Sequence, residues 1–180
     1  MNRNLQIGIM GSASDLKYSK KAESFAKELG KLIANKNITL VYGAEKDCCS
    51  LSTLAAKSAK DNGGITLGVT YGKEKYCWGG EDYMPSVLIP CGLERGGGRE
   101  FTLVLSCDAV IAIGGGSGTL NEIAVAYQAG IPIVVAQEFK GWSKKLSNKY
   151  LDDRKRLMCV SATNPEEAIE SAINLIKINW

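Results

Sequence analysis

The sequence predicts an α/β fold in three layers, an open parallel sheet with helices on both faces. Three observations predict it. Short apolar runs alternate with longer amphipathic stretches along the chain. One run, Ala109–Ile113, is apolar at every position, the pattern of a central parallel strand covered on both sides. Glycine supplies 20 of the 180 residues, above the usual share of about 7%, so many tight turns or close backbone approaches are needed.

The elements follow in order. Leu5–Met10 is a first strand that runs into Gly11-Ser12-Ala13-Ser14. Ser19–Asn35 places Ala22, Phe25, Ala26, Leu29, Leu32 and Ile33 at helical spacing, with Lys and Glu opposite. Ile38–Tyr42 is a second strand broken by Gly43, and Ser50–Asn62 a second helix stopped by Gly63-Gly64. Ile65–Thr70 and a short Ser86–Ile89 read as the third and fourth strands. Residues 71–84 between them are the least regular part, a lid, an insertion or a long loop. Arg95–Ser106 is glycine-rich at its start and then helical. After Ala109–Ile113 come Gly114–Gly118, a helix over Thr119–Ala129 stopped by Gly130, and a strand over Ile131–Ala136. Trp142–Tyr150 reads as a short helix. Thr163-Asn164-Pro165-Glu166-Glu167 starts the last one, with a polar cap, a first-turn proline and acids at the positive dipole end. Such βαβ units wind right-handed into a Rossmann-like sheet. One domain over residues 1–180 is expected, without repeats or linkers.

Composition removes several functions. Lys plus Arg exceed Asp plus Glu by 22 − 19 = 3, too little to argue for nucleic acid or a polyanionic membrane surface. With no histidine there is no Ser-His-Asp or Cys-His pair and no His-ligated zinc. Acid–base work falls to Asp, Glu, Lys, Tyr or Cys. The six cysteines show no C-x-x-C spacing, so no metal site is expected. The first apolar run begins at Leu5 without a preceding signal segment, so a cytoplasmic protein with reduced thiols is expected. The pair Cys48-Cys49 reads as small buried hydrophobes or as a reactive pair.

In open α/β sheets ligands bind beyond the carboxyl ends of the strands. Two segments put glycines and hydroxyls there: Gly11-Ser12-Ala13-Ser14, and Gly114-Gly115-Gly116-Ser117-Gly118-Thr119. The second is the sharper signal. Its glycines let N–H groups turn inward, its helix offers unpaired amides, and Ser117 and Thr119 add hydroxyl donors, which together suit a phosphate. The P-loop, the dinucleotide fingerprint and the nucleophile elbow are all absent. Glu122, in the first turn of that helix, is either a dipole-stabilising acid or a ligand-facing carboxylate. Arg99 opens another helix against its dipole, which binding an anion or pairing with Glu122 would explain, as would a solvated surface position.

Gly114–Glu122 resembles the P-G-G-x-G-T-x-x-E signature of the LOG family, cytokinin-activating phosphoribohydrolases of the lysine-decarboxylase-like SLOG superfamily. Ile9–Ser14, Glu28-Leu29-Gly30 and Leu40–Gly43 resemble further family stretches in the same order. The resemblance implies Arg99 and Glu122 as catalytic residues, and a pocket for a phosphorylated small molecule that takes in Gly11, Ser12, Ser14, Gly43 and Gly114–Thr119. The signature's proline is replaced by Gly114, and the family's second glycine-rich loop by Gly43–Ser52 with Glu45, Lys46, Asp47, Cys48 and Cys49. These departures resemble a sister branch of molybdenum-cofactor carrier proteins and prokaryotic relatives. The resemblance therefore implies one of two activities. One is hydrolysis of the N-glycosidic bond of a nucleoside 5′-monophosphate. The other is non-catalytic carriage of a molybdenum cofactor, or sensing of a nucleotide. No cofactor is required for either, and a homodimer or homotetramer is implied.

Overall fold

A computed structural model describes residues 3–94 and 96–178. Eight strands form one sheet: β1 (Gln6–Gly11), β2 (Thr39–Gly43), β3 (Thr66–Thr70), β4 (Val87–Pro90), β5 (Ala109–Ile113), β6 (Ile133–Ala136), β7 (Lys149–Tyr150) and β8 (Met158–Ala162). Six α-helices accompany them: α1 (Lys20–Asn35), α2 (Leu51–Asp61), α3 (Arg99–Leu105), α4 (Ser117–Ala129), α5 (Trp142–Lys145) and α6 (Pro165–Ile178). The order is β4-β3-β2-β1-β5-β6-β8-β7, and every pairing is parallel except β7 with β8. The predicted Rossmann-like α/β architecture is the one observed.

Side-chain alternation assigns the two faces. Ile7, Ile9, Leu40, Tyr42, Ala109, Ile111 and Ile113 point toward α1, α2 and α6, where Phe25, Leu29, Leu51 and Ile169 complete one core. Met10, Val41, Val110 and Ala112 point to the other face, where Leu103, Val104, Ile123 and Ala126 of α3 and α4 cover them. Ser19 caps α1 by accepting from the Ala22 amide, and Ser50 caps α2 by accepting from the Thr53 amide.

Several boundaries differ from expectation. The helix expected from Trp142 to Tyr150 stops at Lys145, because Asn148 turns into a left-handed conformation (φ 52°) and Lys149–Tyr150 pairs with β8. β8 itself was not foreseen. The helix expected after the glycine-rich start of 95–106 does open at Arg99, and Arg95 lies outside the described residues. Residues 71–84 form a brace instead of a lid. The Trp78 amide donates to the Glu45 carbonyl (2.8 Å), Lys46 pairs with Glu74 (2.8 Å), and the Tyr71 hydroxyl donates to Asp47. This segment therefore fixes the loop between β2 and α2.

The chain leaves β1 toward β2, β3 and β4, then returns to β5 on the other side of β1. The loops after β1 and β5 consequently diverge. A crevice opens between them at the carboxyl edge, the position where such sheets bind ligands.

Candidate functional site

The loop after β5 builds the centre of the crevice. Gly114 and Gly115 are clamped from both sides. The Gly114 amide donates to Ser143 Oγ and the Gly115 amide to Ser12 Oγ, each at 2.8 Å. Their carbonyls accept from the amides of Ser143 (2.9 Å) and Trp142 (3.0 Å). The expected anion cradle therefore does not start at Gly114, since two of its amides are already spent on hydroxyls. It starts at Gly116. That residue caps α4 without any side-chain acceptor, and the amides of Gly116, Ser117, Gly118 and Thr119 have no hydrogen-bond partner among the described residues. All four residues line a cleft of about 420 Å³ between α4, α3 and the loop after β1. Free amides and the positive end of a 13-residue helix favour an anion there.

The inner wall of the same cleft is ionic. Arg99, only 4% exposed, lies with its guanidinium against Gly43, where a Cβ would fall 2.5 Å from Nη1. Its Nη2 donates to Glu45 Oε1 at 3.0 Å and stands 3.9 Å from Glu100 Oε1. Arg99 Nε and Glu100 Oε2 are buried without a hydrogen-bond partner among the described residues. The pairing of Arg99 with Glu122 that spacing allowed is replaced by pairing with Glu45. Glu122 is buried beside this group. Burial pushes its carboxyl up to about 8, with Arg99 acting against the shift and Glu45 and Glu100 adding to it. The shift favours the protonated, uncharged form of Glu122 at neutral pH.

Gly11, Gly116–Thr119, Arg99 and Glu122 thus meet in one cleft. Ser12, Gly114 and Gly115 stand behind it as support, and Gly43 is the floor under Arg99. Ser14 is not brought in: it is exposed, and its amide donates to the Cys49 carbonyl. Sequence reasoning missed Glu45, Glu100 and Ser143. The unusual loop after Gly43 was the visible signal for Glu45; nothing local marked Ser143. Burial raises Cys107 and Cys159 above the usual thiol range, so these two behave as hydrophobes; burial also raises the half-buried Cys49, against hydrogen bonds with Tyr18 and Ser50. No cluster of His, Cys, Asp or Glu among the described residues is arranged to hold a metal ion. No helix among them is long and apolar enough to cross a membrane.

The topology and the glycine-built helix start define a Rossmann-like α/β protein with its cleft at the strand-order reversal. More narrowly, the chain belongs to the SLOG cluster4 family, which matches residues 4–169. It is 32% identical over 126 residues to an uncharacterized protein of Archaeoglobus fulgidus, covering 70% of this chain and 76% of that one. The molybdenum cofactor binding protein of the phototrophic bacterium Rippkaea orientalis superposes with a TM-score of 0.80 at 27% identity, over 98% of this chain and 99% of that one. The molybdenum cofactor carrier protein of Chlamydomonas reinhardtii superposes at 0.78 with 28% identity, over 97% and 99%.

Proposed function

We propose that this protein binds a phosphorylated, ring-bearing small molecule in the 420 Å³ cleft and carries it unchanged, as a molybdenum cofactor carrier does. The observation that carries this reading is the row of four unspent amides at the start of α4, over a cleft whose walls are already built. The phosphate docks on Gly116–Thr119, and the rest of the molecule lies toward Arg99, Glu100 and Glu122. The near full-length likeness to two molybdenum cofactor proteins supports carriage over turnover. The replaced loop supports it too, because Glu45 now occupies the Arg99 guanidinium that a substrate would otherwise engage. The test is to purify the protein anaerobically from cells that make the cofactor, oxidise it, and read the released pterin by fluorescence and mass spectrometry. A pterin phosphate near one per chain is the expected result. An empty site in wild type, or equal loading after Gly118→Asp, overturns the reading.

One observation favours a second reading, hydrolysis of a nucleoside 5′-monophosphate. Glu122 is a buried, protonated carboxyl in reach of the same cleft, suited to protonating a leaving base. Base release from a panel of nucleoside monophosphates, lost in Glu122→Gln, supports it. No release above buffer rejects it. The same proposal includes a cytoplasmic homodimer or homotetramer, for which light scattering should give two or four times the chain's mass.

A further inference from the structure

The crevice has a second chamber. It holds about 570 Å³ on the opposite side of the loop after β5, between Tyr18, Phe139, Lys17 and Lys140. Leu16 and Gly116 border both chambers and meet at the partition, where a Cβ on Gly116 would stand 3.1 Å from Leu16 Cδ1. Leu16 is 54% exposed and sits on the short 3-10 turn Ser14–Leu16, so its side chain changes rotamer cheaply. The chambers are thus two halves of one crevice at the strand-order reversal, where ligands that straddle the sheet edge bind. The second half has aromatic walls and two lysines. Its nearby carboxylate, Glu138, is taken by Lys21 at 2.5 Å. The first half holds Arg99 Nε and Glu100 Oε2, buried without a partner among the described residues.

We infer that the crevice accepts a two-part ester whose ring-bearing halves are joined by a pyrophosphate: the bridge on the Gly116–Thr119 amides, one half beside Arg99 and Glu100, and the other between Tyr18 and Phe139. This rests on the phosphate site proposed above and extends it across the partition. Leu16 swings aside to admit the bridge. Lys17 and Lys140 neutralise its second charge.

Calorimetry with two probes, AMP and ADP-ribose, tests the inference on the full chain. ADP-ribose should bind at least tenfold more tightly than AMP. The double variant Lys17→Glu/Lys140→Glu, which changes exposed side chains only, should remove that advantage and leave AMP within twofold. Leu16→Phe, which thickens the partition, should weaken ADP-ribose more than it weakens AMP. ADP-ribose no tighter than AMP, or equal losses for both probes in the variants, overturns the inference. So does the absence of binding by either probe. If a pterin phosphate is nevertheless recovered from the native protein, the carrier reading stands while this one falls.

Discussion

Two residues decide what the cleft does, Glu122 and Gly118. Glu122 is held mainly as a neutral acid, because its burial outweighs the help of Arg99. Its folded pKa lies above the ordinary carboxylate value, so the native state holds the proton more tightly than the unfolded chain. The corresponding stability is fully present below about 4.5 and is lost as pH rises toward about 8. Glu122→Gln should therefore raise the melting temperature more at pH 8 than at pH 5, and a parallel shift at both values would refute the buried-acid account. Gly118 decides the other half. A Cβ there meets nothing within 4 Å. Gly118→Asp replaces a poor helix former and adds an acid at the positive helix end, so it should raise stability by about 0.5–1 kcal/mol. It should also weaken any phosphate-bearing ligand at least tenfold, since the new carboxylate competes for the same amides. Stability rising while binding falls separates a ligand site from a structural turn, where the two change together.

At the scale of elements, the periodic stretches were legible. β1, β2, β3, β5 and β6 are short apolar runs, and α1, α2 and α6 carry clear apolar stripes. β8 was hidden because it is short, mixes Ser161 with apolar residues, and buries only Cys159 and Ala162. Its neighbour β7 is two residues long and exposed at both, so it leaves no pattern. The cradle was legible as a glycine-rich helix start. Which of its amides stay free was not, because that depends on Ser143, 29 residues beyond Gly114. The partner of Arg99 was hidden for the same reason, as Glu45 is 54 residues away. Helix packing gives a further expectation. α1 and α2 approach so closely at Gly30 that an added Cβ would lie 2.0 Å from the Ala55 carbonyl oxygen. Gly30→Ala should lower the melting temperature although alanine is better by about 1 kcal/mol in a free helix, because overpacking costs about 1–3 kcal/mol. An unchanged or raised value would mean that the two helices part without cost.

Among the described residues, the four free amides of Gly116–Thr119 and the buried Arg99 and Glu100 side chains gather at one edge of the sheet. A phosphate-bearing ligand should therefore slow amide exchange at residues 11–16 and 114–122, with little change in β3, β4 or α6. Protection spread evenly over the sheet would instead indicate general stabilisation through the native state. The Ser12 and Ser143 clamps on Gly114 and Gly115 carry one more implication. Ser12 reaches Gly115 across 103 positions of chain, from the opposite half of the doubly wound sheet. The cradle thus has no local existence. A nascent chain that has folded only its first four strands owns neither the loop nor its outer brace, and captures nothing. Any ligand of this cleft is therefore available only to molecules whose two halves have already docked.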